Sequence, residues 1–374
     1  MIDKILLFPY YLVLKLRNRA YDKGHLKSVA APVPTICVGN VTVGGTGKTP
    51  HTEMILGMLQ ESDRWGSSQL AVLSRGYKRE SKGFQQVCTD SSAAMMGDEP
   101  LQIKKKFQAV TVAVDKNRIE GCEFLCDPES IGKKKAGRKC WNKDFPKSDL
   151  IILDDAYQYR KLSASLNIVL VDWNRPTFKD HLMPIGRLRD LPERVAQADI
   201  IIVSKCPYEL EPEERMDFIE KLGVRDYDLH TFKGESASGK LQSIYFTKIN
   251  YELPQPLFDT TDCRYAYSKR LILFTGIAKD KPLRKFLSDS YKIVRHYSFP
   301  DHHRYTWSDI QKIQKASEAY PTAVVATTEK DAQRVLDYNG LPESLRERLI
   351  VVPIKVAFLS PEEDSAFRDE LDKI

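Results

Sequence analysis

The sequence predicts an α/β protein: a P-loop-type, mainly parallel sheet with a smaller α/β unit after it. Three observations carry that prediction. Short β-branched runs alternate with helical stretches beyond residue 32. Two of those runs, Leu150–Leu153 and Ile200–Val203, are apolar throughout, as strands covered on both faces must be. The alternation lapses across residues 204–265, which are richer in Glu, Pro and turn formers, and then resumes.

In chain order, residues 1–28 come first and stand apart. They hold six basic residues and two acidic ones, and Ile5–Leu14 is an apolar run containing Pro9. A bilayer span needs about 20 apolar residues, so this run is too short. Lys15, Arg17 and Arg19 follow it directly, which argues against a secretory signal. Two readings fit the composition equally: a helix lying in a membrane interface, or a helix packed on the body.

The first α/β unit, residues 29–205, has expected strands at Thr35–Val38, Leu70–Ser74, Ala109–Val114, Leu150–Leu153, Asn167–Val171 and Ile200–Val203. Residues 206–265 form a connecting region with one strand-like run, Ser243–Ile249. The smaller unit, 266–374, has expected strands at Leu271–Phe274, Val294–Phe299, Ala323–Thr327 and Leu349–Val356. The basic patch Lys133–Trp141 reads as a solvated loop, with headgroup or phosphate binding as the lesser reading.

Composition limits the function classes. With 374 residues, 42% hydrophobic and 29% charged, the chain is neither a disordered polymer nor a collagen nor a disulfide-stapled scaffold. A net charge of +6 over this length is no argument for nucleic acid. The seven cysteines (Cys37, Cys88, Cys122, Cys126, Cys140, Cys206, Cys263) are scattered, without the second close pair a zinc site needs, and read as reduced thiols.

The strongest local signal follows the strand Thr35–Val38. Thr42, Val43, Gly44, Gly45, Thr46, Gly47, Lys48 and Thr49 match the phosphate-loop pattern, with Thr42 where the first Gly belongs. The glycines let backbone N–H groups turn onto a phosphate, and the following helix points its positive end at the same anion. Lys48 can reach the β- and γ-phosphates, and the Thr49 hydroxyl can ligate Mg²⁺. Such a loop needs an acid at the end of a neighbouring buried strand. Asp154 and Asp155 close the apolar run at 150–153, and two adjacent carboxylates are costly to bury without a cation.

Neither Ser204-Lys-Cys-Pro207 nor Thr328-Glu-Lys-Asp331 makes a good guanine-recognition motif, so an adenine nucleotide is favoured. The alternative class is a membrane-associated P-loop ATPase switch, or a partition- or metallochaperone-type regulator. Those ATPases carry a second lysine where this chain has Val43, which counts against them.

Ten segments then occur in order: GNVTVGGTGKTPHTEMI (39–55), LSRGYKR (73–79), GDEP (97–100), VDKNR (114–118), IILDDAYQYR (151–160), PIGRLRD (184–190), VSKCP (203–207), FTGIAKD (274–280), FPDHHRYT (299–306) and TTEKD (327–331). Together they resemble the tetraacyldisaccharide 4′-kinase family of lipid A biosynthesis, over about residues 5 to 356. Ala156, Tyr157 and Tyr159 stand where that family usually reads Gly, Phe and His, while both acids and Gln158 are kept.

The resemblance implies transfer of the γ-phosphate of ATP to the 4′-hydroxyl of a tetraacylated glucosamine disaccharide 1-phosphate, the lipid A precursor. It implies Mg²⁺, a peripheral place on the cytoplasmic face of the bacterial inner membrane, and two α/β domains joined by a β-ribbon. It favours the interfacial reading of residues 1–28, on an anionic membrane surface, and implies neither nucleic acid nor an obligate protein partner. It places a catalytic aspartate at Asp98 with a histidine partner at His302. By chemistry alone Asp98 reads as a helix N-terminus, His302 and His303 are equivalent, and Asp301 can orient either. Arg75, Gln158, Arg187 and Arg189 are candidates for substrate or nucleotide phosphate, with ordinary surface salt bridges as the arginines' other reading. Glu99 is a candidate to hold the metal through water.

Overall fold

A computed structural model describes residues 7–134, 137, 139–338 and 340–374. Ile5 and Leu6 of the apolar run, and Lys135, Ala136 and Arg138 of the basic patch, lie outside the described residues. The central element is an eleven-stranded sheet. Its parallel heart runs, side by side, through Leu241–Tyr251, Ile200–Ser204, Leu166–Asp172, Thr35–Gly39, Leu150–Asp154, Leu70–Ser74 and Thr111–Val114. Side chains alternate between two cores. Cys37, Leu73 and Ile151 face one, and Ile36, Val38, Val72 and Ile152 face the other. The phosphate loop therefore leaves the carboxyl end of a strand in the middle of the sheet, with Asp154 ending the next strand. In open α/β sheets ligands gather at that edge.

The second sheet has five strands: Gln255–Pro256, Leu349–Val352, Val324–Thr328, Arg270–Thr275 and Lys292–Ser298. Strand pairing crosses the expected boundary at residue 206. Val224–Asp228, Lys233–Ser236 and the first half of Leu241–Tyr251 complete the large sheet rather than a separate connector. The expected strand Leu349–Val356 is two strands. Pro353 has no N–H to give a ladder, so pairing breaks there. Leu349–Val352 belongs to the small sheet, and Ile354–Phe358 pairs antiparallel with Thr247–Tyr251. The chain thus leaves the large sheet along one strand of a two-stranded ribbon and returns along the other. The final helix, Pro361–Asp372, buries Phe367 and Leu371 in the large unit's core.

The N-terminal helix Phe8–Asp22 packs on the body along one face. Leu14 and Asn18 are buried, and Asn18 Nδ2 donates to Asp190 Oδ1 at 2.9 Å. Phe8, Leu12, Val13 and Leu16 stay exposed on the outer face. Among the described residues, no helix is long and apolar enough to cross a membrane.

Candidate active site

The phosphate loop is a turn forced by sequence. Gly44 (φ 100°) and Gly47 (φ 90°) hold the left-handed region that a side chain disfavours, and the helix Lys48–Glu61 starts immediately after. Thr42 and Thr46 are buried, and Asn40 Nδ2 donates to both hydroxyls, at 3.3 and 2.7 Å. The Val43 N–H donates to the Arg187 carbonyl at 2.7 Å. A side chain at Gly45 would point into open space, and Thr49 is buried in the first helical turn.

Asp154 and Asp155 sit beside this loop in contrasting states. Asp154 accepts from Ser74 Oγ at 3.0 Å, while its Oδ1 is buried without a partner. Burial, with Glu99 and Asp155 adding repulsion, pushes its carboxyl up to about 7. Burial acts upward on Asp155 too, but Lys48, 3.7 Å away, and Arg189 outweigh it and hold that carboxyl down at about 2. Arg189 forks onto both Asp155 oxygens and also reaches Asn40 Oδ1 at 2.7 Å. Among the described residues no group of three His, Cys, Asp or Glu side chains can hold a metal by itself. An orphaned carboxylate oxygen, a second acid and a nearby threonine suit Mg²⁺, which dehydrates reluctantly and takes few protein ligands beside phosphate.

The third component bridges the two units. Asp98 opens the helix Asp98–Lys106, and its Oδ1 accepts from the Glu99 N–H at 3.1 Å. Its Oδ2 meets His302 Nδ1 at 3.0 Å and accepts from Arg334 Nη2 at 2.6 Å and Nε at 3.1 Å. Burial would raise the Asp98 carboxyl, yet His302, Lys330 and Arg334 hold it well below the usual carboxylate range. Lys330 Nζ lies 3.2 Å from His302 Nε2, 3.1 Å from Glu99 and 3.4 Å from Asp301. His303 turns away, with Nε2 2.9 Å from Asp309 at a helix start. Geometry therefore separates the two histidines that chemistry left equivalent.

The two components are neighbours. Glu99 is close enough to Asp154 to raise its carboxyl, and Gln102 of the Asp98 helix donates to Glu53 of the loop helix at 2.7 Å. The remaining candidates divide. Arg75 ends its strand exposed, with its charge felt at Arg118. Arg187 is exposed beside Gly44. Gln158 spends its side-chain amide on the Asn40 carbonyl, and its own carbonyl accepts from Arg17 at 2.9 Å, so it braces the loop from behind. Sequence reasoning missed Asn40, His51, Lys330 and Arg334. Lys330 lies inside TTEKD and Arg334 one helical turn beyond it, so the helical repeat was the available signal.

A family model described as Tetraacyldisaccharide-1-P 4′-kinase matches residues 4–374. A protein of Phocaeicola vulgatus named Tetraacyldisaccharide 4′-kinase is 36% identical over 355 residues, 93% of this chain and 88% of its own. One of the same name from Parabacteroides distasonis is 37% identical over 359 residues, 94% of this chain and 88% of its own. A solved structure of LpxK from Aquifex aeolicus in complex with ATP shares the fold, with a TM-score of 0.66, 24% identity, and coverage of 100% of this chain and 99% of that one. The glycine-rich loop, the two acids beside it and a carboxylate–histidine pair thus neighbour one another in a chain matched along its length, and the chain belongs to the tetraacyldisaccharide-1-P 4′-kinase family.

Proposed function

We propose that this chain transfers the γ-phosphate of ATP to the 4′-hydroxyl of a tetraacylated glucosamine disaccharide 1-phosphate, yielding lipid IVA. The observation that carries the reading is the Asp98–His302 contact, which supports an imidazole-oriented carboxylate beside the loop and its acids. Lys48 and the loop N–H groups bind and orient the nucleotide phosphates. Mg²⁺, held by Thr49 and Asp154 with Asp155 and Glu99 nearby, supplies neutralisation of phosphate charge when bound.

Asp98 accepts the hydrogen bond of the sugar hydroxyl and aligns its oxygen for in-line attack. Asp98 takes the hydroxyl proton as the oxygen–phosphorus bond forms and the β–γ bridge breaks to release ADP, and then gives it up to water; the His302 Nδ1–H, donating to Oδ2, holds the carboxylate in place for that contact. Arg189 and Lys48 keep Asp155 ionised, and exposed Arg75 and Arg187 are placed to meet acceptor or nucleotide phosphate at the rim. The exposed Phe8–Leu16 stripe supports peripheral binding to the anionic cytoplasmic face of the inner membrane, where such a lipid would be embedded.

The test is transfer of labelled γ-phosphate to the disaccharide 1-phosphate in detergent with Mg²⁺, run beside Asp98→Ala. Label in the lipid that collapses in the variant is expected. ATP hydrolysis without lipid labelling would remove the acceptor assignment and bring the ATPase-switch reading forward.

A further inference from the structure

The segment VSKCP, unsuited to reading guanine, has a different role in this fold. The strand Ile200–Ser204 ends behind the phosphate loop, and three consecutive loop carbonyls each meet a side chain from outside it. Ser204, fully buried, donates from Oγ to the Thr46 carbonyl at 2.8 Å. Lys205, held at φ 60° and paired with Asp172 at 2.7 Å, donates to the Gly45 carbonyl. His51, also fully buried, places Nδ1 2.7 Å from the Gly47 carbonyl and Nε2 2.9 Å from Thr247 Oγ1.

The protonation of His51 follows from its partners. A carbonyl only accepts, so Nδ1 carries the hydrogen and Nε2 accepts from the Thr247 hydroxyl. Thr247 lies where the interdomain ribbon begins, opposite Phe358.

In a trans peptide the C=O of one residue and the N–H of the next point in opposite directions. Holding the carbonyls of Thr46 and Gly47 outward therefore turns the N–H groups of Gly47 and Lys48 inward. Those N–H groups lie at a helix start and have no carbonyl of their own helix to bond. We propose that His51 and Ser204 are positioning residues for the nucleotide: they hold the Thr46 and Gly47 carbonyls away from the anion so that the Gly47 and Lys48 N–H groups face it, whereas the Thr46 N–H is spent on the Gly44 carbonyl. The proposal rests on the assignment of residues 42–49 as a phosphate loop.

Calorimetric titration of the full chain with ADP tests it, using wild type, Ser204→Ala, His51→Phe, His51→Asn and the Ser204→Ala/His51→Phe double variant. Loss of one clamp should raise Kd about 3–10-fold, and the double variant should lose about 10–100-fold. His51→Asn keeps a donor for the Gly47 carbonyl and should stay within about two-fold of wild type, although it loses ring packing and its Tm falls along with that of His51→Phe. Single and double variants that bind like wild type would overturn the proposal, as would an affinity that tracks Tm in the Asn variant. A wild type that binds no ADP would instead overturn the phosphate-loop reading itself.

Discussion

His302 Nδ1 lies 3.0 Å from Asp98 Oδ2, across 204 positions of chain and the junction of the two α/β units. Neither unit alone contains both members of the pair, so whatever separates the units disassembles it. Asp98→Asn should lower kcat by about 10²–10⁴ and leave nucleotide affinity nearly unchanged. Single-turnover transfer beside ADP titration checks both halves, and equal losses in the two would return Asp98 to a helix-capping role.

Arg334 is one of the groups that hold the Asp98 carboxyl ionised toward acid pH. Only 8% of its side chain is accessible, and it makes two of the hydrogen bonds to Asp98 Oδ2. Removing it in Arg334→Leu lets the Asp98 carboxyl rise. Activity that needs Asp98 ionised is lost as pH falls through its pKa, so the acid limb of kcat/KM should move to higher pH by about one unit. An unmoved limb would mean that another group sets it.

Asp154 is predicted to trade stability for function. Its folded carboxyl sits at about 7, against 3.8 as the ordinary value. The native state therefore binds a proton that the unfolded chain releases, and stability falls as pH rises from about 4 to about 7. In the absence of nucleotide and metal, Asp154→Asn should melt about 3–6 °C higher at pH 8, with the gain vanishing near pH 4. The same variant should fail to transfer phosphate. Scanning calorimetry across that window decides, and a gain independent of pH would refute proton uptake by Asp154 as its cause.

The outer face of the N-terminal helix is predicted to seat the protein on lipid. Val13 and Leu16 are 61% and 57% exposed, where a helix meeting only water would carry polar side chains. Val13→Ser with Leu16→Ser should lower partitioning onto anionic liposomes about ten-fold or more, while soluble nucleotide binding holds. Sedimentation with vesicles measures it, and an unaltered bound fraction would leave the stripe without that role.

What could be read in the chain was what is local. The phosphate loop was legible because its glycines, lysine and threonine act within a few residues of each other. Asp154 was legible because an apolar strand runs straight into it. The Asp98–His302 pair became visible only through resemblance, since nothing at either position encodes the other. The ring around the loop was hidden for the same reason: His51 meets Thr247 across 196 positions, and Ser204 meets Thr46 across 158. The error at Leu349–Val356 had a different origin. Hydrophobicity continues through Pro353, but hydrogen bonding does not, and the pattern was read for the first alone.

The pairing of Tyr251 with Ile354 across the ribbon has a consequence for modularity. The smaller lobe enters and leaves at adjacent points, so it is an insertion into a chain that is otherwise continuous. A two-residue Asn-Gly turn joining those positions would excise residues 252–353 and close an ordinary hairpin. Both cores of the large sheet, the phosphate loop and the final helix would remain in one piece. The smaller lobe is thus one contiguous insertion, joined to the large unit through a single pair of neighbouring residues.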